Sequence, residues 1–141
     1  LPDYAITSAT GKLKPLREYT ALFGVIGHPT SALDTYLYAG WEQAFRQDEG
    51  LNTNAYGYGN SGASNANCNV INGTTNCMAQ TSSVWQITPG VWYRVYDGAY
   101  GKMQIGLQHS WTRRNTFSDN AGRDPHSINN MTLFSVRFFP F

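Results

Sequence analysis

The sequence predicts an all-β protein that folds as an antiparallel up-and-down meander. Apolar and polar residues alternate with a period of two in several long runs, which is the pattern of a strand and not of a helix. Only 13% of the 141 residues are charged, against roughly 25% in an ordinary soluble domain. No stretch approaches the roughly 20 consecutive apolar residues of a membrane-spanning helix, so any membrane would be crossed by strands.

Five strands are expected, and a short sixth is possible near residues 5–10. The five runs lie near residues 17–28, 32–47, 84–96, 102–116 and 129–139. Because successive side chains of a strand point to opposite faces, the alternation assigns each residue to one face. The expected apolar face includes Leu37, Ala39, Val91, Ile105, Leu107, Phe134 and Val136. The expected polar face includes Glu42, Arg94, Gln104 and Arg137.

The connections between the runs alternate in length. Tight turns are expected at residues 28–31 and 97–101, where Pro, Gly and Asp supply turn chemistry. Long polar segments near residues 47–83 and 118–127 are rich in Asn and Gly. Each run is at least as long as the roughly 9–11 residues of a tilted membrane-spanning strand. Residues 1–141 are therefore expected to form one segment of a transmembrane β-barrel wall.

The end of the chain resembles the last strand of Gram-negative outer-membrane barrels. It reads Phe134-Ser135-Val136-Arg137-Phe138-Phe139-Pro140-Phe141, and in that family the barrel-assembly machinery reads a terminal strand that closes with an aromatic residue. Segments such as 36–40, 84–94 and 103–108 look like the C-terminal region of uncharacterised, acidobacterial-type outer-membrane proteins, and the likeness covers roughly residues 17–141. Pro140 departs from the pattern because it cannot donate a ladder hydrogen bond.

The resemblance implies an outer-membrane location, a lipid bilayer around the apolar face and an assembly signal. The implied signal residues are Phe134, Val136, Phe138, Phe139 and Phe141. It also places the tight turns in the periplasm and the long loops outside. Five or six strands are too few for a single-chain barrel, which needs about eight. A preceding N-terminal segment or other subunits are therefore expected to complete the wall.

Charged residues on the polar faces are expected to line the lumen. They are Glu18, Asp34, Glu42, Arg46, Arg94, Lys102, Arg114 and Arg137, five cations against three anions. The excess of cations would give a water-filled lumen a mild preference for anions. The competing interpretation is that these charges pair across neighbouring strands and stabilise the wall.

Cys68 and Cys77 lie nine positions apart in a segment rich in Asn, Gly, Ser and Thr. An even number of cysteines in such a loop predicts a local disulfide and an oxidising compartment, although two free thiols would have the same sequence. No catalytic, cofactor or metal site is predicted. The histidines His28, His109 and His126 have no Cys or carboxylate at ligand spacing, and no serine lies in a nucleophile motif.

Three functions are compatible with these patterns. The first is a porin-like barrel that passes small solutes, and the second is a structural barrel that anchors a surface complex or filament without an open pore. The third is a soluble, secreted β-sandwich that binds glycans through exposed aromatic residues. Nucleic-acid binding is not expected, because the formal net charge is +1 and the basic residues are scattered.

Overall fold

A computed structural model describes residues 3–6, 11, 13–47, 57–68 and 77–140. The structure is all-β, and its strands form antiparallel meander sheets. Strands β1 (Tyr4–Ile6) and β2 (Leu13–Pro15) form a small antiparallel pair in which Ala5 faces Lys14. The possible sixth strand near residues 5–10 therefore begins at Tyr4, and residues 7–10 lie outside the described residues.

The main sheet has five strands in sequence order. They are β3 (Glu18–Thr30), β4 (Leu33–Ala44), β5 (Thr81–Gly98), β6 (Gly101–Thr116) and β7 (His126–Phe139). The order β3-β4-β5-β6-β7 is the predicted meander, and each strand overlaps one of the five predicted runs. In the described part of the chain β3 and β7 are the edges of this sheet, so no closed barrel is present there.

Several strand ends differ from the sequence prediction. β5 extends beyond residues 84–96 at both ends, and β7 begins at His126 instead of residue 129. β3 continues through Pro29 to Thr30, and the turn falls at Ser31 and Ala32 instead of residues 28–31. An edge strand tolerates proline because its outer N–H groups need no ladder partner. β4 ends at Ala44, three residues before the predicted end, and Gln47 instead forms an isolated bridge with Tyr58.

The turn between β5 and β6 lies where the sequence predicts it, at Ala99 and Tyr100. Gly101 follows with a φ of 112°, a conformation that side chains rarely adopt. A Cβ atom at Gly101 would also collide with the backbone oxygen of Phe139 in β7. Glycine is therefore required at the first position of β6.

The chain divides into two compact units. One, here called the hairpin unit, comprises residues 22–40, 85–112 and 128–141 and contains both tight turns. The other, here called the loop unit, comprises residues 1–21, 41–84 and 113–127. In the described part of the loop unit, the buried apolar side chains are Ala44 and Ala63, and most other buried side chains are polar. This interior depends on hydrogen bonds more than on apolar packing.

The described residues contain no helix long and apolar enough to cross a membrane.

Candidate functional site

The hairpin unit has one polar face, and cross-strand contacts establish which residues belong to it. Asp34 contacts Arg94, Tyr36 contacts Gln108, and Thr88 contacts Ser110, all of them at even positions. In β7 the odd position Arg137 joins this face, since its guanidinium lies over Trp92. The polar face therefore carries the even positions of β3 to β6 and the odd positions of β7.

Three aromatic rings on the polar face lie against glycines of a neighbouring strand. The ring of Tyr36 occupies the place that a Cβ of Gly90 would take. A Cβ at Gly24 would lie 2.7 Å from the ring of Tyr38, and one at Gly106 would lie 2.6 Å from the ring of Trp92. Each ring thus rests directly on backbone and lies along the sheet.

The Tyr36 ring ties three strands together. Starting from β4, it passes over Gly90 of β5, and its hydroxyl donates a 2.8 Å hydrogen bond to Oε1 of Gln108 in β6. The centroid of the Tyr38 ring lies 5.3 Å from that of Tyr36. The two tyrosines cover adjoining parts of the polar face.

A chain of hydroxyl and amide groups follows β5 and β6 on the same face. Gln86 donates to Thr88, and Thr88 donates to Ser110 at 3.1 Å. Gln108 also donates to Ser110, and Thr112 donates to Gln86. Thr88 and Ser110 are 6% and 2% exposed, so the most buried side chains here are small hydroxyls that bond one another.

Most charged side chains of the hairpin unit are paired. Arg94 places Nη2 3.1 Å from Oδ2 of Asp34 and also donates to the backbone oxygen of Ser31. His28 Nδ1 lies 2.7 Å from Oδ1 of the same carboxylate. Lys102 lies 3.2 Å from Asp97 across the second tight turn. These residues therefore pair across neighbouring strands, which is one of the two interpretations of the charged residues in the sequence.

The opposite, apolar face of the hairpin unit is left open. The ring of Trp85 packs edge-on against that of Trp111 with centroids 5.2 Å apart, and His109 contacts Thr132. The large apolar side chains on this face are nonetheless exposed, with Leu107 at 51% and Phe134 at 68%. Further exposed members are Phe23, Val25, Leu37, Ile87, Val95, Met103, Val136 and Phe138.

The residues named as an assembly signal divide between the two faces. Phe134, Val136 and Phe138 occupy the parity of Thr132, on the apolar face, and Phe139 occupies the parity of Arg137. Phe141 lies outside the described residues.

The remaining predicted lumen charges lie in the loop unit. Glu18 begins β3 and Glu42 lies within β4. Arg46 lies beyond the end of β4, where it donates to the Ser118 hydroxyl at 2.9 Å and lies over the ring of Phe117. Its predicted place on a strand face is therefore corrected, because the strand ends two residues earlier. Arg114 donates to Thr81 and to the backbone oxygen of Ala79.

The loop unit contains a polar cluster around Asp119 that the sequence did not reveal. The carboxylate accepts hydrogen bonds from the backbone N–H groups of Asn65 at 3.0 Å and of Ala121 and Arg123 at 2.9 Å. Nε of Arg123 donates to it at 2.8 Å. The backbone hydrogen bond from Arg123 is the largest of the effects that hold the Asp119 pKa far below its usual value, against the opposing effect of burial.

Asn65 completes this cluster through its side-chain amide. It donates to the backbone oxygens of Phe117 and Arg123 at 2.7 and 2.8 Å. The only sequence signal was the turn-forming stretch Asp119-Asn120-Ala121-Gly122, which cannot identify a partner 54 residues away.

Cys68 and Cys77 form the predicted disulfide, with their Cα atoms 4.8 Å apart. Cys68 borders an open cavity of about 490 Å³ that is also lined by Asn65, Asn67, Arg123 and His126. Elsewhere in the loop unit, burial raises the pKa of the Tyr58 hydroxyl, which donates to the backbone oxygen of Thr81 at 2.7 Å. Among the described residues, no group of three His, Cys, Asp or Glu side chains is placed to hold a metal ion.

Comparison of the chain with protein-family models, with curated proteins and with solved structures found no match.

Proposed function

We propose that the five-stranded sheet is part of the wall of a bacterial outer-membrane β-barrel. Its apolar face would lie against the lipid hydrocarbon, and its polar face would line a lumen through which small polar solutes pass. The supporting observation is the burial pattern of the hairpin unit, which is the reverse of that of a water-soluble domain.

In the hairpin unit the most buried residues are glycines and small hydroxyl residues, and the large apolar side chains are exposed. Thr88, Ser110 and Gly106 are buried, whereas Leu107 and Phe134 are about half or more exposed. Exposed apolar surface costs about 25 cal/mol per Å² in water, so a continuous face of this kind favours a nonpolar surrounding. Lipid acyl chains supply that surrounding.

Strand length supports the same proposal. The five strands of the main sheet contain 13, 12, 18, 16 and 14 residues. A tilted strand needs about 9–11 residues to cross the hydrocarbon layer, whereas strands of soluble sheets usually have about 5–6. Each of these strands is long enough to span a bilayer.

The arrangement of the polar face favours an open passage over a plugged one. The rings of Tyr36, Tyr38 and Trp92 lie along the sheet over glycines, so they occupy little space beyond the wall itself. Along β4 to β6 the surface that remains carries hydroxyl, amide and charged groups that can solvate a polar solute, whereas the edge strands β3 and β7 add exposed apolar side chains such as Leu22, Ile26 and Leu133. Five strands cannot close a barrel, so further strands from a longer chain or from other subunits would complete it.

A second candidate is a structural barrel without an open pore. The observation that favours it is the internal pairing on the polar face, where Tyr36 bonds Gln108 and Arg94 bonds Asp34. Such pairing stiffens a wall whether or not solutes pass it. A surface complex or filament could be anchored in this way.

The test uses the full-length protein expressed in a Gram-negative host. It should remain in the membrane fraction after washing with urea or alkaline carbonate, dissolve only in detergent and depend on the barrel-assembly machinery for insertion. Reconstituted in a planar bilayer, it should give stepwise conductance. Insertion without conductance would select the structural barrel, and release into buffer without detergent would overturn both membrane proposals in favour of a soluble β-sandwich.

A further inference from the structure

Arg137 on β7 is held flat against an aromatic ring on the polar face. Its Cζ lies 3.9 Å from the centroid of the Trp92 ring, well inside the distance of a cation–π contact. In the part of the chain that the structure describes, this ring is the only partner of the Arg137 side chain. Stacking engages the face of the guanidinium and leaves its edge, where the N–H donors lie, available.

The charged residues of the hairpin unit also point to Arg137. Residues 22–40, 85–112 and 128–141 contain three permanent cations, which are Arg94, Lys102 and Arg137. They contain two carboxylate side chains, Asp34 and Asp97. Asp34 is bound by Arg94 and contacted by His28, and Asp97 is bound by Lys102. The unit therefore has one guanidinium more than its carboxylate side chains can neutralise, and Arg137 is that guanidinium.

We infer that Arg137 is the residue of the polar face that selects for anions. This role rests on the proposed passage of solutes. The favoured solutes are small anions, such as carboxylates and inorganic anions. A guanidinium edge presents donors in a planar fork that matches a carboxylate, and its charge attracts anions that it does not bind closely. Trp92 acts as a positioning residue that keeps this fork in one orientation.

A purely structural role is the alternative for Arg137. Since β6 lies between β5 and β7 in the sheet, the contact with Trp92 spans a strand and would help hold β7 in place. A structural role predicts a change in stability but none in ion selectivity. The reversal potential under asymmetric KCl separates the two, because it depends on the ratio of chloride to potassium permeability and not on how many channels fold.

The experiment compares four forms of the full-length protein in planar bilayers: wild type, R137Q, R137K and R113Q. R113Q removes the same charge, but Arg113 occupies the β6 parity of Trp111 and His109 and donates to Asn115. R137Q is expected to lower the chloride-to-potassium permeability ratio by about two- to fivefold, the upper value corresponding to about 1 kcal/mol. R137K keeps the charge and should retain most of the ratio, and R113Q should leave it unchanged.

The outcomes distinguish this inference from the proposed function. Channels of R137Q with the wild-type reversal potential would overturn the role of Arg137 and leave the passage of solutes intact. An equal loss of selectivity in R113Q would show that net charge, and not the position of Arg137, is responsible. Membrane-inserted wild-type protein without conductance would overturn the proposed passage and this inference with it.

Discussion

The ring of Tyr36 lies over the backbone of Gly90, and it can reach Gln108 two strands away only because Gly90 has no side chain. The pair shows how the polar face accommodates bulky residues. A ring that stood upright would project from the sheet, whereas a ring that lies over glycine stays close to the sheet. The same arrangement holds for Tyr38 on Gly24 and for Trp92 on Gly106.

Replacing Gly90 with alanine should destabilise the hairpin unit. The new methyl group would occupy the position of the Tyr36 ring, and the ring would have to rotate away and lose its bond to Gln108. The expected cost is about 1–3 kcal/mol in the free energy of unfolding, measured by denaturant titration in lipid vesicles.

Gly40→Ala is the matched control for this prediction. A Cβ at Gly40 would lie 3.8 Å from Cδ1 of Leu22, which is an ordinary van der Waals distance. This variant should unfold within about 0.5 kcal/mol of the wild type. Equal stability of the two alanine variants would contradict the contact between the Tyr36 ring and the backbone of Gly90.

The strands of the main sheet could be predicted from sequence. Because the two faces of the sheet differ in polarity, apolar and polar residues alternate along each strand. The run from Trp85 to Tyr96 illustrates this, since it lies wholly inside β5. The end of β3 was less readable, because Pro29 signals a turn unless the strand is known to lie at an edge.

The contacts that define the site could not be predicted from sequence. Arg137 and Trp92 each have the correct parity, but parity does not determine which residue on a neighbouring strand a long side chain will reach. The same holds for Asp119 and Asn65, which lie 54 residues apart in the chain and meet in a unit where residue 58 pairs with residue 47 and residue 117 with residue 80. Register and loop closure are properties of the folded chain.

Removal of the disulfide should loosen the loop unit selectively. In the double variant Cys68→Ser, Cys77→Ser the chain between these positions is no longer closed, and the local stabilisation lost is about 2–3 kcal/mol. Limited proteolysis of the folded double variant should cut between residues 68 and 77 faster than in the wild type. Reductant should reproduce this effect in the wild type and have no effect on the double variant. The predicted role of the disulfide would be contradicted if reductant did not change the cleavage rate of the wild type, or if the native protein had two alkylatable thiols.

The Asp119 cluster should make the loop unit sensitive to acid. The folded pKa of this carboxyl lies below its unfolded value of about 3.9, so its stabilising contribution is fully present above that value. The contribution is lost progressively as the pH falls from about 4 toward the lower folded pKa. Hydrogen-exchange protection factors of the Asn65 and Arg123 amides should therefore decrease in this range.

Asp119→Asn provides the control for the acid prediction. The amide cannot ionise, so the protection of the Asn65 and Arg123 amides should be weaker than in the wild type at neutral pH. It should not vary over the pH range in which the wild-type Asp119 carboxyl titrates. If the variant retained the acid-dependent loss of the wild type, another group would be responsible.

Placing an arginine at position 107 should distinguish a lipid-facing sheet from a soluble one. Leu107 lies on the apolar face in β6 and is 51% exposed. In water, replacing a half-exposed leucine by arginine changes stability by no more than about 0.5 kcal/mol. On the lipid face of a membrane-spanning barrel, the same change costs about 2–4 kcal/mol near the middle of the bilayer. We expect the larger value for Leu107→Arg in the free energy of unfolding from lipid vesicles.

Gln104→Arg introduces the same side chain on the polar face of the same strand and should cost less than about 1 kcal/mol, because that face does not meet lipid. Equal effects of the two arginines would mean that the two faces of β6 meet the same solvent, which is incompatible with a barrel wall.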